Sequence, residues 1–293
     1  MKKFLIISCL FLALSVQSQS TFFRDATELI NPATAAFENS FSTNMIYGIN
    51  GLFENDYLDN ALRGAASKKL SSINSGLGLT FGTGSAHLED FFDINFNSLG
   101  VNYNYQWKLD ADSKVFSLGL RPQISNRRLT SFYTDMNGNL SSDMLRHLEF
   151  NMAFGAAFKT KQLFLGLSVF NLPFFSNNSS GNSLDFVGAN FIASYEFYLN
   201  NVRLLPAANI FINDIQNNTT INLRVKHDSF WWQPGILFSD IGGLSGLRTT
   251  ISGAFGYQFN ERFNVGLSAD YNPNGSFLSD VLTLGALLSY RLN

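Results

Sequence analysis

The chain ends in the stretch LTLGALLSYRLN at positions 282–293, and the alternation of this stretch decides the fold. Large apolar residues take one parity and small or polar residues take the other, with Leu287 as the exception. The apolar parity holds Leu282, Leu284, Ala286, Leu288, Tyr290 and Leu292, and the other holds Thr283, Gly285, Ser289, Arg291 and Asn293. Because successive side chains of a β-strand point to opposite faces, the stretch predicts a strand with one apolar and one mostly polar face.

The same alternation returns along the chain in about 14 segments of roughly 9–13 residues, the length that a tilted membrane strand requires. Their approximate centres are Met45, Ala65, Leu79, Tyr103, Gly119, Ala153, Leu167, Phe191, Ala207, Leu223, Gly235, Gly253, Leu267 and Leu287. Pro122, Pro206 and Pro234 fall inside segments and predict bulges or strand ends. The sequence therefore predicts an all-β protein, a transmembrane outer-membrane β-barrel of about 14 antiparallel strands.

Charged residues within these segments take the polar parity, as a barrel lumen requires. They are Arg121, Glu149, Glu196, Arg203, Arg224, Lys226, Arg248, Asp270 and Arg291. An Arg or Lys that faces lipid near mid-membrane costs about 2–4 kcal/mol, so this placement favours a barrel over a secreted β-sandwich, whose strands average roughly 5–6 residues. Trp231 shares the lumenal parity, and it either packs or contacts something inside the lumen.

The connections between segments alternate in length, which sets the orientation. Those at the end that holds both termini are short turns, and this end is predicted to face the periplasm. Most opposite connections are long, including the predicted loops at residues 83–95, 125–146 and 173–184. The charged loop 125–146 is a candidate for the constriction of a porin. An aromatic girdle is predicted at the short-turn end from Trp107, Phe116, Phe158, Phe197, Phe230, Phe259, Phe263 and Tyr290.

The N-terminus has the pattern of a secretory signal peptide over residues 1–18. Lys2 and Lys3 precede an apolar stretch too short to span a bilayer, and small residues allow cleavage after Ser18. The single cysteine, Cys9, lies inside that stretch. The mature chain is therefore expected to lack disulfides and Cys-ligated metals. Residues 19–39 are predicted to be a periplasmic or lumenal segment, and residues 40–293 the barrel.

The composition points away from catalysis and from nucleic acid. Only 14% of residues are charged and the net charge is -2, so a nucleic-acid partner is not expected. His87 and His147 are predicted at the outer end and His227 at the periplasmic end, and no metal or catalytic-triad motif surrounds them. We therefore expect no catalytic residues, no metal and no cofactor, although an outer-membrane hydrolase remains the third functional alternative.

Short motifs carry a family resemblance that spans nearly the whole mature chain. Ile30-Asn31-Pro32-Ala33, directly before the first strand, resembles the "INPA" element of the PorP/SprF family of type IX secretion system membrane proteins. Similar stretches follow in order at residues 76–79, 166–171, 232–236, 256–257 and 266–271. The chain departs from many members at Thr34-Ala35-Ala36, where they carry an aromatic residue and a glycine.

This resemblance implies a non-enzymatic role at the outer membrane. Family members act in the export or surface attachment of large proteins with a C-terminal sorting domain, gliding adhesins among them, and such a cargo is the expected partner. The pattern Thr283-x-Gly285-x-x-Leu288-x-Tyr290 also resembles the C-terminal signal read by the barrel assembly machinery, although the chain ends in Leu292-Asn293. The functional alternative is a transport channel, either a porin or a transporter of hydrophobic molecules.

Aromatic pairs in the predicted outer loops are the candidate partner-binding residues. Exposed aromatic pairs are costly in water and are enriched in protein contacts. The candidates are Phe91, Phe92, Phe132, Tyr133, Phe174 and Phe175, and Asn31, Pro32 and Ala33 form the family motif. The competing interpretation is that these rings pack on one another and close the barrel mouth.

Overall fold

The computed structural model describes residues 22, 25–37, 40–50, 57–88, 92–109, 114–134, 140–176, 187–213, 216–241, 247–260, 262–273 and 282–292. The predicted signal peptide lies outside these residues. The strands are β1 (Phe41–Asn50), β2 (Tyr57–Leu70), β3 (Ser75–Leu88), β4 (Phe92–Lys108), β5 (Val115–Thr134), β6 (Leu140–Lys159), β7 (Leu163–Ser176), β8 (Gly188–Tyr195), β9 (Phe197–Leu199), β10 (Val202–Asn213), β11 (Gln216–His227), β12 (Phe230–Ile241), β13 (Leu247–Gln258), β14 (Phe263–Tyr271) and β15 (Thr283–Leu292).

The strands form one closed antiparallel barrel. Each pairs with its neighbours in the sequence, and β1 closes the sheet against β15 from Phe41–Leu292 to Ile49–Leu284. β8 and β9 occupy one position in the wall, because both pair with β10. The barrel therefore has 14 strand positions, as the sequence predicts, and all 14 predicted centres lie within strands. No helix within the described ranges is long and apolar enough to cross a membrane.

The two faces of the wall separate as the alternation predicts. Leu267 and Phe154 are 52% and 48% exposed on the outside, where lipid covers them, whereas Asn102 and Gln233 are buried in the interior. The charged Arg121, Glu149, Glu196 and Asp270 are all buried, as lumenal residues are. The interior also holds buried apolar residues of the same parity, namely Ile46, Phe211, Trp231 and Leu237.

The outer hairpins are longer than the sequence analysis predicts, and this corrects the loop assignment. β5 and β6 have 20 residues each and run through most of the predicted loop 125–146, which leaves residues 135–139 between them. At ~3.3 Å per residue such strands are about 66 Å long, well beyond the roughly 25 Å apolar band. Outside the membrane the outer face need not be apolar, so strand pairing continues after the sequence alternation ends. The predicted constriction loop is therefore wrong, because its described residues form the wall.

The three prolines interrupt strand pairing without shifting the register. Pro206 faces the break between β8 and β9 at Glu196, and the β8 and β9 pairings on its two sides share one register. Pro122 and Pro234 lie at similar gaps in the β4–β5 and β11–β12 pairings. Proline has no N–H to donate to the ladder. The bulges or strand ends predicted at these positions are therefore replaced by gaps within continuous strands.

The short-turn end carries the predicted girdle as a series of ring contacts. Trp107 contacts Tyr105 and Phe116 with ring centroids 4.7 and 5.7 Å apart. A second series joins Phe230, Tyr257, Phe259 and Phe263 at 4.8, 4.8 and 5.8 Å. Aromatic rings favour the headgroup level of the bilayer. These contacts are consistent with a membrane interface at the short-turn end, and the periplasmic orientation of that end stays a prediction.

A charge on the outer face is expected to prevent assembly. Leu267→Arg places a cation in the apolar band at a cost of about 2–4 kcal/mol, and it should reduce the fraction of folded, heat-modifiable barrel on detergent gels. Leu267→Met, which is similar in length and uncharged, is the control and should fold as the wild type does. Equal folding of the two variants would contradict the assigned outer face.

Candidate functional site

The N-terminal segment folds inside the barrel at its short-turn end. We call Phe22 together with residues 25–37 the plug. It contains the helical turn α1 (Thr27–Ile30) and a 3₁₀ turn (Pro32–Thr34). Asn31 caps the second turn, since its Oδ1 accepts from the Ala33 N–H at 2.9 Å. Helical turns this short are unstable alone, so their conformation depends on the contacts that the wall supplies.

Wall side chains satisfy the backbone carbonyls at the end of α1. The last carbonyls of a helix have no partner within the helix and need one from elsewhere. Three wall strands supply the donors. The bonds are Asn102 Nδ2 to the Glu28 carbonyl at 3.2 Å, Arg121 Nη1 to the Leu29 carbonyl at 2.8 Å, and Ser168 Oγ to the Ile30 carbonyl at 3.1 Å.

Asn104 on β4 joins the plug to the wall through both ends of its amide. Its Nδ2 donates to the carbonyls of Ala33 at 2.9 Å and Ala35 at 2.7 Å. Its Oδ1 accepts from the N–H of Gly76 on β3 at 2.7 Å. Ala36, which follows, has a left-handed φ of 50° and donates its N–H to Ser67 Oγ at 2.8 Å. This bond holds a backbone conformation that alanine rarely adopts.

The family-motif residue Asn31 anchors the opposite side of the plug. Its Nδ2 donates to the Ala156 carbonyl on β6 at 2.9 Å and to the Leu167 carbonyl on β7 at 3.1 Å. Asn31 is fully enclosed, with 1% of its surface exposed. A single side chain thus ties two neighbouring wall strands to the 3₁₀ turn of the plug.

Glycines in the wall make room for the plug backbone. A Cβ added to Gly155 would lie 2.0 Å from Asn31 Oδ1, and one added to Gly119 would lie 2.6 Å from Ala33 Cα. A Cβ on Gly76 would lie 2.1 Å from the Ala35 carbonyl oxygen. None of these distances is possible for real atoms, so the close fit requires glycine on three different strands.

A buried ion pair holds the N-terminal part of the plug. The Asp25 carboxylate accepts two hydrogen bonds from Arg224 on β11, one of them at 2.8 Å, and Arg291 on β15 lies 3.7 Å away. The Arg224 guanidinium lies 4.2 Å above the ring of Trp231, which packs edge-to-face on Phe22. The sequence left open what Trp231 contacts, and in the structure it contacts the plug.

Glu28 is the second carboxylate that the plug carries into the interior. Its Oε1 accepts from Ser42 Oγ at 3.1 Å and from Asn44 Nδ2 at 2.6 Å. Burial raises the pKa of the Glu28 carboxyl above its ordinary value, although the hydrogen bonds from Ser67, Ser42 and Asn44 oppose the shift. Because this pKa is raised, the docked plug favours the protonated form of the Glu28 carboxyl. Docking is therefore favoured at acidic pH and weakens as the pH rises through this pKa.

Two apolar clusters complete the fit on opposite sides of the plug. Phe37 packs edge-to-face on Phe164 of β7, with Ile192 and Ala207 around them. Phe22 packs with Trp231, Ile46, Ala254 and Leu287 on the other side. The plug thus contacts wall strands around the circumference, and its own residues obstruct this end of the lumen.

Comparison with known proteins assigns the chain to a family. The family model described as "Type IX secretion system membrane protein PorP/SprF" matches residues 12–282, which include the plug. The chain belongs to the PorP/SprF family. It is an outer-membrane β-barrel of the type IX secretion system. No curated protein matches the chain.

Solved outer-membrane barrels share the fold of this PorP/SprF protein. A Pseudomonas aeruginosa FadL homologue has a TM-score of 0.61 at 10% identity, covering 92% of this chain and 94% of that chain. The P. putida toluene transporter TodX has a TM-score of 0.54 at 10% identity, covering 90% and 92%. At such low identity these likenesses show the barrel fold alone.

The predicted partner-binding aromatics lie at the outer ends of neighbouring strands, as far as they are described. Phe91 lies outside the described residues, and the other five belong to strands whose backbones are described there while their side chains are not. Phe92 begins β4 and pairs with Ser131 of β5, next to Phe132 and Tyr133. Phe174 and Phe175 lie near the end of β7. Their role in binding stays a prediction.

The pairing also shows that these aromatics lie at two heights along the barrel. Phe175 pairs with Phe150 of β6, which pairs with Ile124 of β5. Phe132 lies eight residues further out along β5, which corresponds to about 26 Å at ~3.3 Å per residue. One small ligand cannot contact both heights, whereas a large protein can.

The histidines do not form a common site. His87 on β3 pairs with Asp93 of the neighbouring β4 at the outer end, His147 is buried in β6, and His227 lies beside Asp228 at the short-turn end. Within the described ranges, no three residues of the types His, Cys, Asp or Glu come close enough together to hold a metal ion.

The residues that receive the plug are not identified by the alternation of the sequence. Asn102, Asn104 and Gly155 take the polar parity of their strands, and the alternation by itself indicates only that they line a lumen. Their signal is the run of amide side chains at alternate positions of β4, followed by glycine at the lumenal parity of the next strands. Amides can both donate and accept, and glycine allows close backbone approach, so together they indicate a docked polypeptide.

A methyl group at Gly155 is expected to displace the plug. Gly155→Ala places a Cβ against Asn31, and overpacking of this kind costs about 1–3 kcal/mol. The barrel should still fold, whereas its conductance in planar bilayers should rise above that of the wild type. The matched control is Gly253→Ala, because an added Cβ at Gly253 has nothing within 4 Å. Equal conductance of the two variants would contradict the plug assignment.

Proposed function

We propose that this barrel binds and retains a large secreted cargo of the type IX system at the outer membrane, without catalysing a reaction. The cargo is expected to carry the C-terminal sorting domain of the system, and a gliding adhesin is one such protein. The signal peptide over residues 1–18 and insertion by the barrel assembly machinery through the strand β15 belong to the same proposal.

The observation that carries this proposal is the plug. A diffusion channel needs an open path, whereas this lumen is obstructed at its short-turn end by a segment bonded to β2, β4, β5, β6, β7 and β11. Each of these hydrogen bonds contributes about 0.5–1.5 kcal/mol, and those to charged groups contribute more. A barrel obstructed in this way favours binding at the rim over passage of small solutes.

The outer ends of β4 to β7 are the surface that we propose for the cargo. The long β5–β6 hairpin extends beyond the apolar band and provides paired backbone well outside the membrane. The two heights of Phe132 and Phe175 suit a partner of protein size. A few anchor residues, often aromatic, commonly contribute most of the binding energy at protein interfaces, so their loss removes most of the affinity.

Purification from the native outer membrane tests the proposal. A large protein with a sorting domain should co-purify in stoichiometric amount under mild detergent. The double variant Phe174→Ser with Phe175→Ser should retain less of it, and so should Phe132→Ser with Tyr133→Ser. Phe259→Ser, which changes an exposed aromatic at the opposite end of the barrel, should retain the wild-type amount.

The transport alternative predicts the opposite result, namely conductance without a bound cargo. If the barrel purifies alone and the wild type conducts small solutes in planar bilayers, a channel function replaces cargo retention. If a cargo co-purifies but all three aromatic variants retain it equally, the cargo binds elsewhere and the proposed surface is wrong.

A further inference from the structure

A cavity of about 100 Å³ lies beside the plug at the short-turn end. It opens between the plug and the wall strands β10 to β15, near the turn that contains Arg262. Five cationic side chains line it, and they come from three strands and one turn. They are Arg203, Arg224, Lys226, Arg262 and Arg291.

Carboxylates balance only part of this charge among the residues that the structure describes. Asp25 of the plug is the acidic residue of the cavity lining, and it bonds Arg224 and lies 3.7 Å from Arg291. Glu196, just outside the lining, pairs with Arg203. Lys226 donates to the neutral Gln258 side chain. The cavity therefore presents a surplus of positive charge in a partly enclosed space, which strengthens attraction for an anion.

Asp25 indicates which anion the cavity fits. Each of its two carboxylate oxygens accepts a hydrogen bond from one terminal nitrogen of the Arg224 guanidinium, the two-point contact by which arginine recognises carboxylates. The ligand of this cavity in the folded chain is thus an aspartate side chain on a polypeptide. Further carboxylates on an extended segment would meet Lys226, Arg262 and Arg291 in the same space.

We propose that this cavity binds an acidic peptide segment, rich in Asp or Glu, of a partner that approaches from the periplasm. The alternation of connection lengths predicts that the short-turn end faces that compartment, so a periplasmic segment would reach the cavity without crossing the membrane. The inference does not rest on cargo retention at the outer rim, because the two surfaces lie at opposite ends of the barrel. Either can fail while the other holds.

The same arrangement couples the peptide to the plug. Arg224 and Arg291 hold Asp25, so an arriving carboxylate competes with Asp25 for the same guanidinium groups. Removal of the Asp25 charge removes the competitor. The affinity for an acidic peptide should therefore increase in Asp25→Asn, whereas a site unrelated to the plug would show no such change.

Fluorescence anisotropy with the full-length barrel in detergent tests the proposal, with labelled hexa-aspartate as the probe and hexa-asparagine as the uncharged peptide. We expect binding of hexa-aspartate that weakens with salt, and little binding of hexa-asparagine. Lys226→Gln and Arg262→Gln should each weaken binding about ten-fold, the loss expected for one charge-assisted hydrogen bond. Asp25→Asn should strengthen it several-fold.

The control is Lys161→Gln, which removes an exposed cation from the β6–β7 turn at the same end of the barrel but outside the cavity. Binding that falls equally in Lys161→Gln and Arg262→Gln would reduce the effect to general surface charge and overturn the proposal. If inorganic phosphate displaces the peptide at equal concentration, the cavity is a binding site for small anions and the peptide proposal is wrong. Arg262 lies in an exposed turn, so its variant decides the matter even if Lys226→Gln fails to fold.

Discussion

The structure depends on one constraint, which is that backbone polar groups removed from water need hydrogen-bond partners. The wall meets it by closing β1 on β15, so the pairing has no free edge. The plug cannot meet it alone, because its helical turns are too short to pair their own carbonyls. Side chains of the wall supply the missing donors, among them Asn102, Asn104 and Arg121. The lumenal face is therefore a polypeptide-binding surface as much as the lining of a pore.

This view changes what the polar lumen means for function. A polar interior usually suggests a water-filled channel, yet here amides, an arginine and glycines of the wall are engaged by the N-terminal segment. The PorP/SprF barrel is then better understood as a barrel that the plug obstructs, with a different surface for partners at each end. Its outer end projects a long hairpin beyond the membrane, and its short-turn end combines the plug with a cationic cavity. Both ends suit protein partners, which is the role that we propose within type IX secretion.

The fold could be predicted because the bilayer imposes a two-residue period that any strand crossing it must follow. All strand positions, the lumenal charges and the interior location of Trp231 follow from that period. Its limits explain the errors, since β5 and β6 continue beyond the bilayer, where the outer face need not be apolar and the sequence period disappears. The docking of Asn31 could not be predicted, because its partners are the carbonyls of Ala156 and Leu167, and backbone groups leave no side-chain signature. Partner binding by the outer aromatics remains a prediction, because aromatic pairs at the outer end of the chain's hairpins suit both binding to a partner and packing on one another.

Residues 25–37 are docked inside the wall, and the rest of the interpretation requires that they stay docked in the membrane-embedded protein. Hydrogen–deuterium exchange on native outer membranes measures this directly, because the N–H groups of Ala33 and Ala36 are hydrogen-bonded inside the barrel. The account predicts that amides across this segment exchange about as slowly as those of the neighbouring wall strands. Exchange at the rate of an unstructured chain, with the strands still protected, would contradict it.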